Sequence, residues 1–455
     1  MNMPDLTRLN KALHIALQSW KTVNRPIPEL LQTLLVVRQH NQGNCLQANM
    51  VSWRRAINEM LLAGIAALGQ ESALEATVLD RRFFQGLVAQ DVADSINLDL
   101  DRLNRLQRKG ILRLTQIVWA QEEAARRCYL AEMEARLPNM SHPLFGVEAA
   151  VEELAAKALA QDEPWTMVLT GIGGIGKTSL AVAVAKRLLE EFAFEGVVWA
   201  RVAGEAAVGE VVFAQFAQQL GVSSTLSPAE QRQAVCQILQ ACPYLMVVDN
   251  VESEGELVTL LQEVGELANP GKILLTARVR PPEVVVWGYG LGELSLTAVS
   301  DLIHHLTNAN NYPAFALPTT EEIEALYDLA GGNPLAIKLV AGLMPVAPLP
   351  VLLADLQRAA MKETQGMYRH IYWRVWHSLS PEAQAVLLSL LLAAGNGFTA
   401  SHMLAVSKLE AGAFWTAVHL LISRSLLEVR HEKPEWRYSI HRLTASFLQI
   451  DIAQL

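Results

Sequence analysis

Residues 171–178 read Gly171-Ile172-Gly173-Gly174-Ile175-Gly176-Lys177-Thr178, a spacing that can cradle a chain of phosphates. Glycines free the backbone to turn its N–H groups onto phosphate oxygens, and a helix opening at Lys177 offers its positive end to the same anion. Lys177 is expected to reach the terminal phosphates and Thr178 to hold Mg²⁺ through its hydroxyl, with Ile175 and Ser179 in the same cradle. The ligand class is a nucleoside diphosphate or triphosphate.

Two further residues fit that chemistry. The apolar run Tyr244-Leu245-Met246-Val247-Val248 ends in Asp249, a carboxylate able to bind Mg²⁺ directly or through water. Its neighbour Asn250 is an amide and cannot take a proton from water, so hydrolysis is expected to be slow; Glu252 reads either as a base or as a solvated loop residue. After the run Lys272-Ile273-Leu274-Leu275-Thr276 comes Arg278, whose fork of donors suits a γ-phosphate at the carboxyl edge of a sheet. Lys177, Thr178, Asp249 and Arg278 form the candidate catalytic set, with Thr178 and Asp249 as the metal pair.

The elements that must position these groups are legible in the pattern. Strand-like runs at 166–170, 196–202, 244–249 and 272–276 alternate with helical patterns at 177–191, 208–219, 228–240 and 254–264, predicting a mostly parallel sheet with helices on both faces. Residues 1–137 read as all-helical and 138–290 as the nucleotide-binding domain. A helical domain follows over 291–350, and 351–455 ends in a hairpin over 425–430 and 436–440, as a winged helix requires. The chain has 455 residues, 51% of them hydrophobic and 18% charged, yet no apolar run approaches the ~20 residues of a membrane span. Its opening residues lack a secretion signal, so a cytoplasmic, membrane-free protein is expected. Cys45, Cys128, Cys236 and Cys242 are scattered and read as buried thiols. The net charge of -9 excludes a uniformly basic surface but leaves room for a local one.

Taken together, these residues resemble the NB-ARC branch of the STAND P-loop ATPases. Phe145-Gly146-Val147-Glu148 is similar to that family's entry motif, whose backbone lies against adenine; the usual arginine is Val147 here. Thr276-Ala277-Arg278 resembles its sensor arginine motif. Gly332-Asn333-Pro334-Leu335-Ala336 resembles its Gly-Leu-Pro-Leu-Ala element, which assigns Pro334 and Leu335 to the adenine side. Ile440-His441-Arg442-Leu443 resembles its Met-His-Asp motif, in which the histidine touches the β-phosphate of ADP; the aspartate is Arg442 here. The resemblance covers roughly 143–450. It implies a multidomain α/β fold with a P-loop NTPase parallel sheet, ATP or ADP with Mg²⁺ as ligands, a closed ADP state, and self-association on exchange for ATP.

Within the first region, residues 79–114 form a compact helix-turn-helix pattern. Leu87, Val92, Ala93 and Ile96 supply one buried side and Leu103, Leu106 and Leu114 the next, leaving Arg102, Arg105, Arg108 and Lys109 outward. This resembles the region-four DNA-binding element of sigma factors, as found fused to bacterial NB-ARC proteins, and implies contact with duplex DNA. A helical protein-interaction module is the alternative, with a separate sensor or effector protein as partner. Leu353–Arg358 and the run Leu387–Leu392 are candidate partner surfaces, the latter more readily core.

Overall fold

The computed structural model describes residues 5–453 apart from 23–24, 42–48, 141, 161, 203–207, 266, 280–285, 310–316, 361–363, 393–396, 425, 433–434 and 441. The first region is helical, as expected. Asp5 caps Leu6–Gln18 by accepting from the Thr7 amide, and Asn49 caps Met50–Glu71 by accepting from Val51 and Ser52, so side-chain oxygens satisfy N–H groups that the helices cannot. Leu9, Leu13 and Leu17 form the buried stripe of the first helix, whereas Leu6 and Ile15, expected on the same apolar side, face solvent. The spacing accounts for this, since residues four apart share a helical face and Ile15 falls between rows.

The helix Leu100–Glu134 links this region to the next. At 35 residues it is about 52 Å long. Asp99 caps it through the Arg102 amide; Leu103 packs with Val92 and Ala93 near its start, Leu114 and Val118 join the core of the first region, and Tyr129 and Met133 enter the core under the sheet.

That sheet has five parallel strands: β1 (Thr166–Thr170), β2 (Gly196–Arg201), β3 (Tyr244–Val251), β4 (Lys272–Ala277) and β5 (Trp287–Gly290), in the order β2-β3-β4-β1-β5. Alternation divides its residues between two cores. Leu245 and Val247 pack with the helices Glu148–Leu159 and Lys177–Glu190, while Met246 and Val248 pack with Val208–Gln219 and Glu254–Gly265. Four strands and their helices lie within a few residues of expectation; β5 was not expected, because Trp-Gly-Tyr-Gly is short and lacks an apolar run. The outer edge of β2 is covered by side chains: Gln219 exchanges hydrogen bonds with both backbone groups of Trp199, Gln215 does the same at Arg201, and the Met133 sulfur accepts from Val197. Amide side chains thus mimic a neighbouring strand and block further pairing.

Beyond the sheet, one continuous core runs from Val299 to Leu448 and, among the described residues, draws on nine α-helices, from Leu296–Ala309 to Arg442–Phe447. Asn333 and Ser380 cap two of these, each followed by proline at the first helical position. A three-stranded antiparallel sheet completes the region, with β6 (Phe398–Thr399), β7 (Glu428–Glu432) and β8 (Glu435–Ser439) in the order β6-β8-β7. The expected hairpin is therefore present, moved slightly along the chain and joined by β6. Leu353, Leu356 and Leu387 are buried in this core, which removes them as partner surfaces. Cys128 is exposed and Cys242 is disulfide-bonded, so neither fits the expectation of a buried thiol. Among the described residues no helix is long and apolar enough to cross a membrane.

Candidate nucleotide site

The phosphate loop sits at the carboxyl end of β1, where its backbone conformation is one that only glycine adopts easily. Gly174 and Gly176 have φ of +77° and +104°, and Gly176 caps the helix Lys177–Glu190 with open space where a Cβ would stand. Ile175 is buried beneath the loop and anchors it, while Ile172 is exposed at its tip. Lys177 Nζ donates to the carbonyls of Gly171 and Ile172, at 2.7 and 3.0 Å. Its pKa is pulled down to about 8, first by burial and then by the nearby Arg278 guanidinium, against the opposing pull of Asp249. A partly desolvated ammonium beside a second cation is stabilised by an incoming anion, so these residues fit a phosphate chain.

Asp249 lies at the end of β3, 1% exposed. One of its oxygens accepts from the hydroxyls of both Thr178 (2.8 Å) and Thr276 (2.7 Å). The insertion of β4 between β1 and β3 makes this convergence: Thr276 reaches Asp249 from one side and Thr178 comes from the loop helix. Thr178 and Asp249 thereby offer adjacent oxygens of the type Mg²⁺ prefers. Thr276 stood in the quoted strand and in the Thr276-Ala277-Arg278 motif, but the sequence assigned its hydroxyl no role, because that role depends on strand order. Asn250 turns with φ of +75°, takes its N–H to the Thr276 hydroxyl and gives its amide to the Val202 carbonyl, tying three strand ends together. Its side chain is thus a structural tie, consistent with its unsuitability as a base. Arg278 follows the buried Ala277 at the end of β4; its N–H donates to the Val251 carbonyl, its side chain is exposed, and its charge helps to lower the Lys177 pKa.

The helix Pro334–Leu343 approaches the loop from the other flank. Asn333 is wholly buried; its carbonyl oxygen caps this helix through the amides of Leu335 and Ala336, and its Nδ2 donates to the Gly173 carbonyl at 3.2 Å. Leu335 packs so close to Gly174 that a Cβ there would stand 2.8 Å from the leucine Cβ. Pro334 opens the helix and remains partly exposed. At the entrance, Gly146 takes φ of +67° against Ala298, Phe145 packs on the His305 ring at 5.7 Å, and Val147 caps the following helix against the sheet core. His441 lies outside the described residues, so its assigned contact stays an expectation.

Residues 147–283 match the model of the NB-ARC domain. That stretch of the chain is similar to the NB-ARC domain. Curated relatives of the whole chain include the Regulatory protein AfsR of Streptomyces coelicolor, 26% identical over 423 residues that cover 86% of this chain and 40% of the relative. Disease resistance RPP8-like protein 3 of Arabidopsis thaliana is 29% identical over 229 residues, covering 47% of this chain and 24% of the relative. The chain thus spans less than half the length of either protein. Among solved structures, the Aeropyrum pernix ORC1 protein in complex with DNA aligns over 69% of this chain and 94% of its own at 17% identity, with a TM-score of 0.33, a likeness too slight to carry an argument.

Away from residues 147–283, the face assigned to nucleic acid is only partly assembled. Arg102, Arg105 and Arg108 are exposed along the start of the long helix, and Arg105 Nε leans on the Asp101 carbonyl at 3.4 Å. Lys109 instead pairs with the buried Glu75 at 3.3 Å, whose second oxygen accepts from Arg113 at 2.9 Å. The negative charge of Asp99 is used in capping the helix.

Proposed function

We propose that this chain is a STAND-type switch operated by ATP and ADP, working as a slow ATPase in signalling or transcriptional regulation. The observation that carries the reading is the buried Asn333, through which the helical region beyond the sheet grips the phosphate loop itself. A ligand that reshapes the loop must then act on two regions at once, which gives it different contacts in two states. The NB-ARC match and the two kinds of relative, one named a regulatory protein and the other a disease resistance protein, support the same reading.

In this scheme Lys177 and Arg278 take the terminal phosphates, and Thr178 with Asp249 holds Mg²⁺, whose bound charge would neutralise the phosphate oxygens. The Gly146 region and Pro334 face the base. His441 in a C-terminal winged helix touches the β-phosphate of ADP and keeps the domains shut. With Asn250 committed to structure, no carboxylate directly follows Asp249 to activate water, and turnover is slow enough to serve as a timer. Exchange for ATP opens the domains and permits self-association. Output passes through the amino-terminal helix-turn-helix, where Arg102, Arg105 and Arg108 meet duplex DNA. A second reading, a scaffold that recruits a sensor or effector protein, is favoured by one specific observation: the Lys109–Glu75 pair draws charge away from that face.

The experiment is light-scattering mass of the protein loaded with ADP or with an unhydrolysable ATP analogue, each with and without duplex DNA. A larger particle with the ATP analogue alone supports the switch, and DNA retained only in that state supports the regulator over the scaffold. Equal masses in both states, with nucleotide shown to be bound, would overturn the switch.

A further inference from the structure

We propose that Asn333 is a positioning residue that sets the orientation of the Gly173–Gly174 peptide, so that nucleotide residence time and docking of the helix Pro334–Leu343 form a single equilibrium. The proposal deepens the switch reading above and rests on it. Asn333 is 0% exposed and uses both ends of its amide: the oxygen accepts from Leu335 and Ala336, the nitrogen donates to the Gly173 carbonyl. The first role is an ordinary helix cap, which serine, threonine or aspartate can fill. The second needs a donor at that reach, and among the usual capping side chains asparagine provides it while keeping the cap.

The consequence follows from the peptide group. A trans peptide is planar and its C=O and N–H point in opposite directions, so a held Gly173 carbonyl also aims the Gly174 N–H away from Asn333. Glycine on both sides leaves that peptide otherwise free to rotate, and Gly174 already occupies φ of +77°. Lys177 holds the two preceding carbonyls, those of Gly171 and Ile172, by a long flexible side chain that must leave them to meet an anion. Asn333 is attached to a helix start and has no such freedom. The loop therefore comes ready to bind while the helix is docked, and loses one fixed N–H when the helix leaves. Leu335 against Gly174 adds a steric component to the same contact, since the two cannot separate without opening the space above the loop.

The test uses the full chain loaded with a fluorescent ADP, comparing the parent with Asn333→Ser, Asn333→Asp and Asn333→Ala. Serine keeps a cap acceptor but is too short to reach Gly173; aspartate keeps shape and cap but cannot donate when ionised. Their faults are complementary, lost volume in one and added charge in the other, so an effect common to both belongs to the missing donor. We expect both to release ADP about fivefold to tenfold faster, the loss of one buried hydrogen bond of ~1 kcal/mol or slightly more. Asn333→Ser should retain a melting temperature near the parent's, and Asn333→Ala should lose both cap and retention. Parental release rates in both the serine and aspartate variants, or rates that merely follow melting temperature across the series, would overturn the role. Failure of the parent itself to bind the fluorescent ADP would instead overturn the nucleotide assignment.

Discussion

The phosphate loop and the basic start of the long helix were equally conspicuous as residue patterns, and the structure treats them differently. At the loop, groups from β1, β3, β4 and a distant helix converge, with the Thr178 and Thr276 hydroxyls each within 2.8 Å of the same Asp249 oxygen. Along the helix, Arg102 and Arg108 stand exposed, Arg105 leans on its own backbone, and Lys109 is taken by Glu75. Chemistry that depends on backbone shape and strand ends is carried by the fold itself. A row of charges at helical spacing is a surface first, and it becomes a site only if something opposite completes it.

The largest expected effect lies at the loop. Lys177→Ala should weaken triphosphate binding ~100-fold or more by removing a charge-assisted contact, with the fold retained; unchanged affinity by calorimetry would erase the difference between the two regions. Next, Arg126→Ala should destabilise the chain by roughly 3–5 kcal/mol, because the buried Glu122 would lose its 2.6 Å partner and keep only the Val36 amide as acceptor contact. Denaturant unfolding reads this, and a loss under ~1 kcal/mol would mean that Glu122 takes up a proton or water instead.

A smaller effect is a proton linkage at Lys177, whose folded pKa of about 8 lies below the ordinary 10.5. Below pH 8 the lysine is charged folded and unfolded, and its burial opposes folding in full; from about 8 to 10.5 the folded form sheds its proton first, so that penalty is relieved and stability rises with pH. Phosphate restores the charged form, so binding near pH 8 should take up about half a proton, measured by calorimetry in buffers of different ionisation enthalpy. No uptake would show that Lys177 is fully charged without ligand.

The smallest effect belongs to the basic helix. Arg102→Ala with Arg108→Ala should leave stability within about 0.5 kcal/mol, since neither side chain is buried. If duplex DNA is the partner, the double variant should also lower the salt slope of binding by roughly two; an unchanged slope would assign that face to protein or to solvent.

Several features were legible without coordinates because they are local. Glycine spacing at 171–176, the β-rich runs ending at Thr170, Asp249 and Thr276, and the proline after Asn333 each follow from backbone preference or buried-strand composition. The burial of Val92, Ala93 and Leu103 was visible for the same reason, and these residues do share a small core. By contrast, β5 escaped because it is held by pairing with β1 and not by its own four residues. The reach of the long helix into the sheet core was equally hidden, since Tyr129 and Met133 look like any apolar stripe until their partners are known.

The sequence by itself therefore determined a parallel sheet, a phosphate-binding loop at its strand ends, and helical regions on either side, all consequences of short-range stereochemistry. Strand order, and with it the meeting of Thr276 with Asp249, was decided only by the tertiary structure, because β4 must cross between β1 and β3 before those side chains are neighbours. The same holds for Asn333. Its sequence marks the start of a helix, and only the packing of that helix 160 positions along the chain from Gly173 turns the unused half of its amide into a hold on the loop.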